Sequence, residues 1–127
     1  MEIVKLSKNI INQNYLLLNK VISTIFPNYD IRKFGEDHEF YQINCDRLFC
    51  GFFDIYQKNR IQKFFVLPQF QNRGLGSRAV KYILKKTNNP YCFVKKSNKI
   101  GIKFWKKNKF IKIRDIGNII EMKYKIT

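Results

Sequence analysis

The sequence is poor in acid. Nine Asp and Glu stand against 25 Lys and Arg, a formal charge of +16 at pH 7, and such a field attracts polyanions: a coenzyme, a nucleic acid or an acidic protein. Two origins for the charge stay open. Lys, Asn and Ile are all abundant, as an AT-rich genome makes them, and a nucleic-acid-facing role would also select Lys. Histidine is nearly absent, with His38 alone, and the three cysteines, Cys45, Cys50 and Cys92, are an odd number. With neither CxxC nor paired histidines, no metal site is expected, and the thiols read as reduced core or half-buried residues. Long apolar runs are missing as well; the longest are of strand or short-helix length, too short to span a bilayer. The start, Met-Glu-Ile-Val-Lys, lacks a signal-peptide pattern, so a cytoplasmic protein without a membrane partner is expected.

Apolar side chains, by contrast, are plentiful. With 45% hydrophobic residues, the chain of 127 can build one packed core, so a single domain over 1–127 is expected, without length for a separate substrate lobe. It is organised around Phe64-Phe65-Val66-Leu67-Pro68-Gln69-Phe70-Gln71-Asn72-Arg73-Gly74-Leu75-Gly76-Ser77. An apolar run ends at a proline, a polar turn with two glycines follows, and Ala79, Val80, Ile83 and Leu84 then recur at helical spacing up to Lys86. That is strand, glycine turn, helix. Glycines let the backbone turn tightly and approach a ligand, and the first N–H groups of a helix have no partner inside it, which suits a phosphate. Arg73, Arg78 and Lys81 add positive charge at that end.

Gln71-Asn72-Arg73-Gly74-Leu75-Gly76 resembles the Q/R-x-x-G-x-G/A signature of the GNAT superfamily of N-acetyltransferases, in the place where that family carries it. With Phe70 in front, the string is similar to the branch that acetylates protein N-termini, ribosomal proteins included. Downstream, Ser97-Asn98 followed by Ile102 to Phe110 resembles the family's S-N-x-x-A-x-x-L-Y-E-x-x-G-F. The resemblance covers the second half of the chain directly and the first half by element order. It implies an α/β fold, the GNAT fold: a mixed central β-sheet with an antiparallel N-terminal meander, a splayed parallel pair in the middle and a C-terminal hairpin, flanked by helices.

The rest of the chain reads in keeping with that order. A short strand over Glu2 to Leu6 precedes a helix capped by Ser7, in which Ile10, Ile11, Leu17, Leu18, Val21, Ile22 and Ile25 recur until Pro27. Asn28 to Gly35 is a second short helix or a loop. Glu36-Asp37-His38-Glu39 reads first as a solvated loop or strand start, and alternatively as a site for a basic group or a base for a reacting amine. Glu39 to Ile43, Leu48 to Tyr56 and Ile61 to Leu67 form a meander through the turns Asn44-Cys45-Asp46 and Gln57-Lys58-Asn59; Gly51 in its middle strand permits a close approach or a bulge. The adjacent pairs Phe52-Phe53 and Phe64-Phe65 must place one ring on each face. Tyr91 to Val94 is a strand parallel to its predecessor. Asn98 to Asn108 is an amphipathic helix, and Phe110 to Ile116 with Ile119 to Ile126 closes the chain as a hairpin.

The resemblance further implies acetyl-CoA as co-substrate, with its pyrophosphate on the N–H groups of Asn72, Arg73, Gly74, Leu75, Gly76 and Ser77. Its pantetheine arm would lie against Phe64, Phe65 and Val66, with Asn98 as a ligand for it or for ordered water. The acceptor would be an amine: a protein N-terminus or lysine, a small molecule, or an aminoacyl group on RNA. The family's acid/base set is replaced, however. The acidic tyrosine is Trp105, whose indole N–H is a donor without useful acidity, and glutamates used by the family fall at Arg60 and Phe93. Trp105, Tyr91 and His38 are the weak catalytic candidates, with Tyr41, Tyr56 and Tyr124 as further donors. The competing expectation is a GNAT-fold protein that binds CoA or nucleic acid through basic helices without catalysis. Its stoichiometry is left as monomer or homodimer.

Overall fold

The computed structural model describes residues 1–33 and 35–125. Phe34 and the Ile126 assigned to the last strand lie outside them. The chain opens with β1 (Glu2–Lys5), and Ser7 caps α1 (Lys8–Gln13) by accepting the Ile10 N–H at 3.2 Å. One continuous helix to Pro27 was expected, but the structure breaks it at Asn14 and resumes as α2 (Tyr15–Ile25). Asparagine explains the break: its side-chain amide donates to the Ile10 carbonyl at 2.9 Å and its backbone N–H to the same oxygen at 3.1 Å, ending the first helix. The break rotates the stripe. Ile11, Leu18 and Ile22 are buried, whereas Leu17, expected in the core, is 65% exposed.

β2 (His38–Cys45), β3 (Leu48–Tyr56) and β4 (Arg60–Val66) form the antiparallel meander. β2 runs two residues further than expected, so the turn is Asp46-Arg47, both at positive φ, as a two-residue hairpin turn requires. β5 (Tyr91–Lys95) pairs parallel with β4, and β6 (Phe110–Ile116) with β7 (Ile119–Tyr124) is the final hairpin. The sheet order is β1-β2-β3-β4-β5-β7-β6, antiparallel except at β4–β5. α3 (Leu75–Lys86) and α4 (Lys99–Lys107) connect β4 to β5 and β5 to β6. The sheet is mixed and flanked by helices, the α/β architecture expected.

Each face of the sheet has its own core. Phe53 and Phe64 lie on the face packed by Ala79, Val80 and Ile83 of α3 and Trp105 of α4; Phe52 and Phe65 lie on the face packed by Ile11, Leu18 and Ile22. The adjacent aromatic pairs thus do face opposite ways, and burying a side chain of this size contributes about 2–3 kcal/mol. Gly51 is forced by the sheet: a Cβ there would stand 2.5 Å from the Phe65 carbonyl oxygen, and the β2–β3 register shifts beside it between Ile43 and Asn44.

Candidate functional site

The site begins where two strands separate. The β4–β5 ladder holds only Arg60 opposite Tyr91, and beyond it the β5-side edge of β4 carries no strand as far as Val66. On its other side β4 stays fixed to β3, Val66 opposite Gly51, with the Leu67 N–H on the Cys50 carbonyl at 2.8 Å. A Pro68–Phe70 turn then reverses the chain, and Gln71 reaches back so that its amide donates to the Val66 carbonyl at 2.9 Å. Asn72 (φ 63°) and Gly74 (φ 76°) are left-handed, and Gly74 is the residue from which α3 starts. α3 begins four residues before Ala79, the first residue of the apolar spacing, because Leu75 is itself buried and starts the stripe.

α3 has no side-chain N-cap bond and no acidic residue in its first turn. Its leading N–H groups and dipole are therefore available to an anion. Gly76 solves a packing problem: a Cβ would come within 2.9 Å of the Phe104 ring of α4. Across the opening, Asn98 caps α4 by accepting the Gly101 N–H at 2.9 Å, and Gly101 lacks the Cβ that would collide with that cap. Together these elements enclose an open cleft of about 380 Å³.

Phe64, Phe65, Val66, Asn72, Gly74, Leu75, Gly76, Ser77 and Asn98 all line this cleft. Arg73 does not; its guanidinium lies over the Phe70 ring, 5.6 Å from the centroid. Trp105 borders the cleft but is 7% exposed, packed edge-on to Phe64 at 5.3 Å and against Phe110 at 4.8 Å, the environment of a core residue. The other two catalytic candidates are elsewhere. His38, Tyr56, Arg60 and Tyr91 form one row across the sheet, at the paired end of β4. Six residues at about 3.3 Å each separate that row from Val66, about 20 Å. Tyr124 is at the same end, its N–H on the Pro90 carbonyl at 2.9 Å. The Tyr41 hydroxyl is committed to Glu39 at 2.7 Å, and burial raises its pKa above the usual phenol range. Among the described residues, the only ionisable side chain lining the cleft is Lys107.

Two arrangements were missed by reading the sequence. Gln71 was recognised as part of a string, but its brace to Val66 is a tertiary fact. Asp54 was not singled out at all: it is fully buried, accepts the Tyr29 hydroxyl at 3.0 Å and the His38 Nδ1–H at 2.9 Å, and burial holds its pKa above the ordinary aspartate value despite those bonds. A lone acid inside Phe52-Phe53-Asp54-Ile55 was the available signal, since a buried charge must find partners. His38 is thereby corrected from the solvated cluster to a half-buried residue, while Glu36 and Asp37 are exposed as expected. The thiols Cys50 and Cys92 are buried, which pushes them up to about 11 and about 12, so neither supplies a thiolate nucleophile near neutrality. Among the described residues, no three His, Cys, Asp or Glu side chains gather as a metal-holding group.

The family model described as Acetyltransferase (GNAT) family matches residues 20–110. No curated protein sequence matches the chain. Among solved structures, Arabidopsis thaliana Naa50 in complex with the bisubstrate analogue CoA-Ac-MVNAL is similar with a TM-score of 0.71 and 18% identity, over 98% of each chain. Campylobacter jejuni N-acetyltransferase PseH in complex with acetyl coenzyme A gives 0.65 and 14%, over 99% of this chain and 100% of that one. PH1933 from Pyrococcus horikoshii OT3 gives 0.58 and 18%, over 69% of this chain, which spans 65% of the length of that one. At such identities the structures speak for the fold, and the family model, which matches well over half the chain, for the lineage. The splayed strands and the glycine turn at the head of α3 are where the sequence signature put them, and the chain belongs to the GNAT acetyltransferase family.

Proposed function

We propose that this protein is an acetyl-CoA-dependent N-acetyltransferase that acts by positioning its substrates rather than through a side-chain acid. The observation that carries this reading is the convergence of three features on one cleft: the open edge of β4, the left-handed glycine turn and the uncapped start of α3. The residues fit the coenzyme. The leading N–H groups of α3 suit a pyrophosphate, the β4 edge offers backbone groups to an extended amide-bearing arm, and the gap at Gly76 keeps the turn close to Phe104. That Naa50 and PseH were solved with CoA-containing ligands supports the same assignment here.

When bound, acetyl-CoA supplies a thioester whose acetyl group passes to an amine: the C–N bond forms, the C–S bond breaks, and the amine proton leaves to solvent or to the departing sulfur. The chain's own contribution is geometric. β4 is held rigid by β3 on one side and by Gln71 at its end, so an N–H near Val66 has a fixed direction in which to polarise a carbonyl. Phe64, Phe104 and Trp105 exclude water from the inner wall. Holding two reactants in register supplies much of a rate enhancement without any proton-transfer group. The acceptor is an amine of a protein N-terminus or lysine, a small molecule, or an aminoacyl group on RNA.

A second reading, a GNAT-fold binding protein without catalysis, is favoured by one observation: among the described residues, no Tyr, His, Cys, Asp or Glu lines the cleft. One experiment separates the two readings. Release of free CoA thiol from acetyl-CoA is followed with N-terminal peptides, lysine peptides, small amines and aminoacyl-RNA as acceptors, from pH 6 to 9. Transfer by positioning gives acceptor-dependent release whose rate rises with the acceptor amine's own deprotonation and shows no falling limb from an enzyme acid. Absence of release with every acceptor, alongside measurable acetyl-CoA binding, would establish the second reading.

A further inference from the structure

The charge of this protein is not spread along the chain. Residues 1–54 carry six Lys and Arg against seven Asp and Glu; residues 55–127 carry nineteen against two. Compositional drift toward Lys codons acts on the whole gene and would not exempt its first two-fifths. In the fold the asymmetry becomes spatial, because the second part supplies β5, β7, β6 and both helices of one sheet face, α3 and α4. Neither helix contains an Asp or Glu. Lys81 and Lys85 of α3 and Lys99, Lys103 and Lys106 of α4 are exposed, and none forms an ion pair among the described residues. The two acids of this half are already engaged, Asp115 by Lys96 and Lys112, Glu121 by Arg114. Like charges four residues apart on a helix, as at Lys81–Lys85 and Lys99–Lys103, oppose helix formation, and no acidic side chain on either helix offsets them.

We infer that the outer face of α3 and α4 is a docking surface for the phosphodiester backbone of a nucleic acid, distinct from the coenzyme cleft. The chemistry of the face selects this partner over two others. Membrane-binding helices insert a broad apolar face, whereas the apolar faces of α3 and α4 are consumed by the core, leaving Ile100 as their one large exposed apolar side chain. Protein interfaces are anchored by aromatic and Arg side chains with Lys depleted, and the exposed cations of these two helices are seven Lys with a single Arg, Arg78. A row of point charges without donors arranged to read bases is what a sequence-independent phosphate contact needs. Lys99, Lys103 and Lys106 fall on one side of α4 at intervals of four and three residues, while Ile100, Gly101, Phe104 and Lys107 turn to the cleft. Binding to this face therefore does not depend on the acetyl-transfer reading.

The test uses the full chain and a fluorescently labelled single-stranded RNA of about twenty nucleotides, with the DNA of the same sequence as a second probe, read by anisotropy over a range of salt. Two triple variants carry the same change in net charge, from +16 to +10: Lys99→Glu/Lys103→Glu/Lys106→Glu on the face, and Lys8→Glu/Lys20→Glu/Lys33→Glu in the balanced half. Circular dichroism melts establish that both fold, which is expected because all six side chains are exposed. The face variant should bind RNA at least tenfold more weakly near 0.1 M salt, with a salt slope shallower by about two units, three lost contacts at about 0.7 each. The control variant should stay within about threefold of wild type, since surface charges beyond about 10 Å are screened. Equal weakening of both variants would reduce the effect to net charge and overturn the docking face. So would displacement of RNA by polyglutamate at equal charge, which would mark an acidic-protein surface, or binding to phosphatidylserine vesicles without binding to either nucleic acid.

Discussion

The two ends of β4 have opposite designs. At Arg60 the strand is paired on both sides, and the neighbouring row carries a buried polar knot, Asp54 with His38 and Tyr29, that ties the segment after α2 to the sheet. At Val66 it is paired on one side only, the backbone turns left-handed twice, and the next helix starts uncapped. One end gives its buried acid internal partners, and the other leaves backbone groups for a ligand. The difference teaches that stability and binding are carried by different residues around one strand, so each should be removable without the other.

Substitutions at the two ends should dissociate accordingly. Asp54→Ala removes the buried carboxylate that the Tyr29 hydroxyl and the His38 ring both bond, and should lower stability by about 3 kcal/mol in denaturant titrations while the folded fraction still responds to acetyl-CoA. Gly51→Ala tests the link between the ends. Its Cβ would meet backbone at 2.5 Å, so β4 must shift, which should lower stability by about 2 kcal/mol and weaken the response to acetyl-CoA as well. Gly74→Ala meets nothing within 4 Å, but it puts an L side chain at φ 76°; a loss of about 1 kcal/mol, with a disproportionate loss of coenzyme binding, is expected. A small loss of stability without any loss of binding would show that the turn is only structural.

The weakest expected effect is in pH dependence. Burial raises the Asp54 pKa above the ordinary aspartate value of 3.8, so the folded protein holds this proton more tightly than the unfolded chain does. Its contribution to stability is thus fully present below about pH 3.8 and is lost as pH rises through the higher folded value. Asp54→Asn removes that titration. The difference in stability, wild type minus variant, should fall as pH is raised from about 3.5 toward neutrality, and a difference that rises instead would reverse the sign assigned to burial.

Strand order, the parallel pair and the opposite-facing phenylalanines were legible because alternation and glycine punctuation are local. The cleft was legible for a different reason: its wall and turn are contiguous, from Phe64 to Ser77, and its far side is one helix start at Asn98. What failed left no mark in the apolar pattern. Asn14 broke a helix that apolar spacing alone continued, because an amide competing for the Ile10 carbonyl leaves no trace in hydrophobic periodicity. His38 and Tyr91 were named as catalytic candidates by chemical type, and only the strand register shows that they share the far row. Asp54 pairs with residues 16 and 25 positions away, a separation no local pattern encodes.

The most direct test of the open end is thermal unfolding with acetyl-CoA, using desulfo-CoA and ATP as ligand controls, on wild type and on Gly74→Asp and Gly76→Asp. The aspartate at 74 brings a carboxylate to the turn assigned to phosphate, and the one at 76 forces a Cβ to within 2.9 Å of the Phe104 ring that walls the cleft. At about a hundred times Kd, binding to the folded state should add about 2.7 kcal/mol, and both substitutions should abolish it. A well-folded wild type that acetyl-CoA leaves unchanged, or a stabilisation that survives both substitutions, would contradict the coenzyme site.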